Sequence, residues 1–218
     1  MPGKITALEV QQRNKERVNV YLDGEYGFSL ALIEAARLRR GQTLSDEEIA
    51  ELKARDALER AVDLAVRFLS YRPRSISEVR RYLEQKGIAP SAVDTTIARL
   101  EKLGYVDDVA FARFWVSNRD EFNPKGPLAL RQELREKGVS SAIIDRVLAE
   151  VDFADAAYRA AQRRVQRLRH LDRQAFQQKV YPYLARRGFV AETIHDVMAR
   201  LMEELEIPQQ DNFDNDAL

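Results

Sequence analysis

The stretch YRAAQRRVQRLRH, residues 158–170, carries Arg159, Arg163, Arg164, Arg167, Arg169 and His170 with no acid among them. A guanidinium stays charged at neutral pH and offers a planar fork of donors, so this composition points to holding a polyanion rather than to breaking bonds. At about 100° per residue, Arg159, Arg163, Arg167 and His170 share one helix face, and Ala157, Ala161, Val165 and Leu168 lie nearly opposite. A solvated face normally mixes signs, with glutamates four residues before the bases. An ordinary charged face is the competing reading. A second cluster sets Arg72, Arg74, Arg80, Arg81 and Lys86 against Glu78 and Glu84. Arg72 and Arg74 precede a helix start at Ser75, where positive charge opposes the helix dipole. Free amides there, beside two arginines, make a candidate anion site. Arg131, Arg135 and Lys137 occupy the matching place in a second copy of this pattern, and Arg186 and Arg187 in a third. Copies stacked in register would give a discontinuous basic track.

Little else in the chain suits chemistry. The absence of cysteine excludes a disulfide framework, a thiolate zinc site and a thiol nucleophile, and His170 and His195 are the only imidazoles. There is no GxSxG phrase, no phosphate-cradling glycine loop and no metal-ligand spacing, so neither an enzyme nor a cofactor or metal is expected. Asp107-Asp108 reads as a helix N-cap rather than a carboxylate pair for a metal. Phe111, Phe114 and Trp115 read as core residues, although aromatic rings can also stack bases. Nothing resembles a recognition helix for base edges, so DNA contact through phosphates, single- or double-stranded, is what these residues suit.

The basic residues sit on a repeating frame. YLEQKGI (82–88), ELREKGV (133–139) and YLARRGF (183–189) align on Gly87, Gly138 and Gly188, which are 51 and 50 residues apart. Four residues before each glycine stand Leu83, Leu134 and Leu184, and eight before it Val79, Leu130 and Val180. Six after come Val93, Ile144 and Ile194, ten after Ile97, Leu148 and Met198, and thirteen after Leu100, Val151 and Leu201. These offsets draw one apolar face on a helix ending at the glycine and one on the helix that follows. The glycine itself suits a left-handed helix stop. With a further helical stretch ahead of each pair (57–70, 108–119 and 154–170), the spacing predicts three tandem three-helix units. Such arrays are elongated and curved, and they offer surface rather than a pocket. Pro124 and Pro127 break the helix between two of these stretches.

The first thirty residues follow another period. Val18, Val20 and Leu22 alternate before Asp23-Gly24, and Tyr26, Phe28 and Leu30 after it, which predicts a hairpin. Thr6, Leu8 and Val10 suggest a third strand. SLALIEAARLRR suggests a short helix ended by Gly41, and the capping boxes SDEE (45–48) and SISE (75–78) mark two further helix starts. The fold class expected is therefore mainly α with a small N-terminal antiparallel sheet. Its parts are 1–53 for the sheet and short helices, 54–106, 107–152 and 153–205 for the three repeats, and 206–218 for an acidic tail.

The formal charge of zero hides this tail. Residues 203–218 hold six acids and no base, so residues 1–202 carry 35 bases against 29 acids, a net of +6. The tail reads as a solubilising end or as a competitor for the basic surface. The chain shows no apolar run long enough for a membrane span and no signal peptide, so a cytoplasmic monomer with no membrane partner is expected.

RPRSISEVRRYLEQKGI, LEKLGYVDDVAFARFWVSNR, GPLALRQELREKGV and YLARRGF together resemble the RecX family of bacterial recombination regulators, over about residues 54–202. Arg72, Arg74, Ser75 and Glu78 match the family's RxRSxxEL-like phrase, with Val79 in place of leucine. Gly104, Tyr105, Asp107, Asp108, Phe111 and Ala112 match its GYLDDxxFA-like phrase, with Val106 for leucine. Leu184, Arg186, Arg187, Gly188 and Phe189 match the third-unit signature. The resemblance implies three tandem three-helix units and a non-enzymatic protein that binds the RecA nucleoprotein filament. Such a protein modulates, usually restrains, recombination, DNA repair and the SOS response. Two other classes remain open on the residues alone: an independent DNA-binding or architectural protein, and a helical adaptor that binds only protein.

Overall fold

The computed structural model describes residues 2–168 and 170–205, with the side chain of Arg163 outside the description. Arg169 and the tail from residue 206 lie outside the described residues. The chain forms two compact units, one made of the chain up to Arg74 with Glu78–Val106, the other of Ser75–Ser77 with the chain from Asp107 onward.

In the first unit, strands β1 (Gly3–Val10), β2 (Arg17–Leu22), β3 (Glu25–Ala31) and β4 (Thr43–Leu44) form an antiparallel sheet in the order β3-β2-β1-β4. Asp23 and Gly24 both have positive φ, 49° and 92°, as a two-residue hairpin turn requires. Val18 pairs with Leu30 and Val20 with Phe28, and all four are buried together with Ile5, Leu44 and Ile49. The alternation breaks where the register shifts. Beyond Val20 the pairing slips so that Tyr26 faces Tyr21 and is 59% exposed; Val10, opposite buried Val18, is exposed as the last residue of β1. The helix expected over SLALIEAARLRR shrinks to one turn, α1 (Leu32–Ala35), because Ser29 and Leu30 are taken by β3. Gly41 serves a turn into β4, donating its amide to the Ile5 carbonyl.

Helix α2 (Asp46–Leu69) starts at the Ser45 capping box, with the Ser45 hydroxyl accepting from Glu48 N and the Glu48 carboxylate accepting from Ser45 N. It runs without a break through residues 53 and 54, where the sequence suggests a boundary between sheet region and repeat. Helices α3 (Ile76–Gln85) and α4 (Pro90–Lys102) follow. The second unit holds α5 (Asp108–Phe122), α6 (Pro127–Glu136), α7 (Ser141–Leu148), α8 (Phe153–Val165), α9 (Arg173–Arg186) and α10 (Ala191–Glu204). Asp107, Ser140, Asp152 and Asp172 cap α5, α7, α8 and α9 through their side chains, so the Asp107 reading holds. Pro127 opens α6 rather than forbidding it, since a missing N–H is harmless at the first helical position.

All fifteen aligned apolar positions are buried except Val151, which is half-buried, so the threefold alignment describes packing and not chance similarity. Phe153 packs against both cores of the second unit, that of α5–α7 and that of α8–α10. Each copy closes with the same stop. Gly87, Gly138 and Gly188 have φ of 76°, 78° and 83°; each donates to the carbonyl three residues back, and Ile88, Val139 and Phe189 donate to Leu83, Leu134 and Leu184. These are Schellman motifs, and the leucine at minus four is the carbonyl that receives the second bond. Gly104, φ 72°, repeats the motif after α4.

Two of these glycines also meet another segment closely. A Cβ on Gly138 would lie 2.3 Å from Ser77 Cβ, and one on Gly188 would lie 2.4 Å from the Ala129 nitrogen. Around them Ser75 donates its hydroxyl to the Lys137 carbonyl, while the Gly126 and Leu128 amides donate to the carbonyls of Arg187 and Gly188. The stop after a helix thus seats on the first turn of another, twice within this unit. At Gly87 an added Cβ meets nothing within 4 Å.

Candidate nucleic-acid and partner interface

The basic residues divide sharply once their neighbours are visible. Arg72 is engaged: its two terminal nitrogens fork onto Glu78, at 2.9 and 3.3 Å, and one also donates to the Pro73 carbonyl. Its placement ahead of α3 is explained by this pair, which neutralises a cation facing the helix dipole. The helix start is also not open to an anion, because the Ile76 amide already donates to Asp108 Oδ1 at 2.9 Å. Arg80 pairs with Asp94 at 2.6 Å, and Arg131 pairs with Asp145. Exposed i to i+14 pairs of this kind contribute little to stability, but they do occupy the guanidinium.

The arginine ladder is shorter than the sequence suggests. Helix α8 ends at Val165, so Arg167 and His170 do not continue its face. Ala157, Ala161 and Val165 are buried as the opposite face requires, and Leu168 packs against them half-buried. Arg159 pairs with Asp155 one turn earlier and with Asp120 from α5, an acid thirty-nine residues away that no local pattern shows. The side chains of Arg163 and Arg169 lie outside the described residues.

What remains is a compact set. Arg164 and Arg167 are exposed and, with Leu168 and Tyr183, line a cavity of about 400 Å³. The Tyr183 ring lies beneath two guanidinium groups, those of Arg164 at 4.9 Å and Arg187 at 4.8 Å. Arg187 is anchored by Asn123 Oδ1 and the Pro124 carbonyl, both neutral acceptors, so its charge is not cancelled. The structure therefore places Arg164 and Arg187 over one aromatic ring, and Arg167 beside Arg164 in the cavity that this ring lines. Arg81, Lys86, Arg135 and Arg186 are exposed, and Lys86 reaches over the Tyr82 ring at 5.5 Å. Arg74 lies over the Phe68 ring at 4.0 Å.

Of the aromatic residues expected in the core, Phe111 is buried, but Phe114 is 41% exposed because it falls on the outer side of α5. Trp115 is half-buried and functions as the wall of a charge cluster. Its Nε1 donates to Glu133, as do Arg119 and Lys125, and Arg119 and Lys137 lie over its ring at 4.6 and 5.1 Å. Burial pushes the Glu133 carboxyl up, but the hydrogen bonds from Lys125, Arg119 and Trp115 and the charge of Arg119 outweigh it and hold it below its ordinary value. A carboxyl lowered on folding stabilises at neutral pH and loses that contribution as pH falls through its folded value, here below the ordinary 4.5. Replacing Glu133 by glutamine is therefore expected to lower stability at pH 7 by about 1–3 kcal/mol. The gap to the unaltered chain should close on acidification below about pH 4, as followed by urea unfolding across pH. A constant gap would show that the charge of Glu133 is not what matters.

The sequence patterns do not single out Tyr71, Tyr82 and Tyr183, each within a few residues of an arginine at a helix end. That adjacency is the signal that could have found them. Among the described residues no group of three or more His, Asp or Glu is placed to hold a metal, and no helix is long and apolar enough to cross a membrane.

Three three-helix domains that follow a four-stranded sheet in the sequence, with guanidinium groups beside aromatic rings, make this a helical-repeat protein. The chain belongs to the RecX family of regulatory proteins. Four family descriptions match in order: the regulatory protein RecX N-terminal domain at residues 3–45, then the first, second and third RecX three-helix domains at 61–100, 107–148 and 150–198. A regulatory protein RecX of Listeria monocytogenes is 31% identical over 95% of this chain and 79% of its own length. One from Bacillus licheniformis is 32% identical over 98% of this chain and 82% of its own. A crystal structure of regulatory protein RecX superposes with a TM-score of 0.70 at 29% identity, covering 90% of this chain and 99% of that one.

Proposed function

We propose that the chain is a non-enzymatic regulator that binds the RecA recombinase filament, touches DNA through phosphates and restrains filament activity in recombination and repair. The match to RecX regulatory proteins along all four domains is the observation that carries this reading. The chemistry is compatible. Arg164 and Arg187 lie over the Tyr183 ring, Arg167 lines the same cavity as Arg164, and Arg164 and Arg167 are exposed. Arginines of this kind position a phosphate backbone without reading its sequence. The test is to titrate the purified chain into preformed filaments of the cognate recombinase while following ATP hydrolysis and filament length. Hydrolysis is expected to fall as the chain is added. Unchanged hydrolysis over a wide concentration range would overturn the proposal.

The Arg164 and Arg167 cavity favours one second reading, an independent DNA-binding protein that acts equally well without the recombinase. Both readings share a measurable consequence. Arg164→Glu with Arg167→Glu is expected to weaken duplex DNA binding and to flatten its dependence on salt, by about 0.9 in log–log slope for each phosphate no longer neutralised. The helical signal should persist, because both residues are exposed. An unchanged slope would place the DNA contacts elsewhere, and only the recombinase titration separates the two readings.

A further inference from the structure

At the end of α2 the chain builds a layered stack. The guanidinium of Arg74 lies 4.0 Å over Phe68, Phe68 lies parallel to Tyr82 with ring centroids 4.1 Å apart and 4° between planes, and the Lys86 ammonium lies 5.5 Å beyond Tyr82. Two rings between two cations hold the Arg74 fork in one orientation. Its Nε is buried with no hydrogen-bond partner. Burial first, and the neighbouring charge of Arg72 second, destabilise the Arg74 cation, with only partial relief from Glu78. Glu78 itself is gripped by the Arg72 fork. A half-buried, oriented guanidinium with an unpaired Nε is what an oxyanion would satisfy.

Three residues earlier Tyr71 is 84% exposed. Pro73 lies between them, fixing its own φ and confining Arg72 to extended backbone, so the Cα atoms of Tyr71 and Arg74 lie at most about 10 Å apart. A single nucleotide can span both. Neither an acidic peptide nor a duplex makes use of the tyrosine, since a carboxylate needs only the guanidinium and a duplex keeps its bases stacked on one another. An unstacked base uses both groups.

We propose that Tyr71 and Arg74 form a one-nucleotide subsite for single-stranded nucleic acid, with a phosphodiester on the terminal nitrogens of Arg74 and the adjoining base stacked on Tyr71. This rests on the proposed reading that the chain meets DNA. The subsite selects single strands, adding to a phosphate contact that is otherwise indifferent to strandedness.

The test uses the full chain, a labelled oligothymidylate and a duplex of equal length, with fluorescence anisotropy read over a salt series. Tyr71→Ala is expected to weaken single-strand binding about tenfold while leaving duplex affinity and both salt slopes unchanged. Tyr71→Phe should bind as the unaltered chain does. Arg74→Gln should weaken single-strand binding and reduce its slope by about 0.7. Should Arg74→Gln fail to fold, the Tyr71 variants still decide, because that side chain is almost wholly in solvent. If Tyr71→Ala matches the unaltered chain on single strands, or weakens duplex equally, the subsite is overturned while the filament reading stands. If the unaltered chain binds neither oligonucleotide at low salt, the subsite and the DNA part of the proposed function fall together. If Arg74→Gln abolishes inhibition of filament ATP hydrolysis yet leaves oligonucleotide binding intact, the anion is a protein carboxylate and the subsite is overturned.

Discussion

Gly188→Ala is expected to destabilise the chain by more than about 4 kcal/mol, whereas Gly87→Ala, at the same place in its own copy, should lose only about 1–2 kcal/mol. Both glycines adopt a left-handed φ, 83° and 76°, so both alanine variants carry the same backbone penalty. Only at Gly188 does the new Cβ collide, 2.4 Å from the Ala129 nitrogen and 2.6 Å from its Cβ. The first turn of α6 cannot yield there without losing the bonds from the Gly126 and Leu128 amides to the Arg187 and Gly188 carbonyls. A loss of this size requires a specific mechanism, and a steric clash against backbone supplies it. Urea midpoints of the two variants check the contrast. Gly138 offers a finer version, because its Cβ would meet Ser77 Cβ at 2.3 Å and Oγ at 2.4 Å, a side chain rather than backbone. Gly138→Ala should be severe alone, and Ser77→Gly should recover most of the loss, leaving the backbone penalty. A double-mutant cycle with no coupling between the two sites would show that the helix stop does not seat on Ser77.

This contrast also marks where sequence reasoning ends. The offsets of Leu83, Leu134 and Leu184 from their glycines are readable because burial on a helix obeys a fixed period and a helix stop has few chemical solutions. The second duty of Gly138 and Gly188, close approach to another segment, leaves no trace in a three-residue window. Strand alternation fails at Tyr26 for a related reason: a single slipped residue exchanges the two faces of a strand, and the slip lies after Val20. The candidate site is less legible than the frame. Whether an arginine is free depends on its acid, and Asp120 reaches Arg159 from a different helix, while Glu78 reaches Arg72 across a helix start. Charge counted along a stretch therefore overstates the free basic surface. Aromatic neighbours correct the count in the other direction, since Tyr183 gathers Arg164 and Arg187, which are twenty-three residues apart.

Asp56→Ala is expected to destabilise the first unit by about 3–5 kcal/mol and to release the N-terminal sheet from α2. Asp56 is an acid in the middle of a long helix, only 5% exposed. Its carboxylate accepts from both terminal nitrogens of Arg17 on β2, at 3.2 and 2.8 Å, and from the Ala31 amide at the end of β3, at 2.9 Å. Arg17 is held in turn by the Ser29 carbonyl and hydroxyl. One side chain of α2 thus ties two strands, and its removal leaves a guanidinium and a backbone amide unpaired in a poorly solvated place. Asp56→Asn should lose less, because an amide oxygen can still accept from Ala31. Replacing the pair together, Arg17→Met with Asp56→Leu, should recover part of the loss but not all, since the Ala31 amide stays unpaired. Hydrogen exchange locates the effect: in Asp56→Ala the amides of β2 and β3 should exchange faster than those of α3 and α4, whose buried face of Val79, Leu83, Val93 and Ile97 is untouched. Uniform acceleration through the unit would mean that sheet and helices unfold as one body, and that this ion pair stabilises the whole unit rather than fastening the sheet to it.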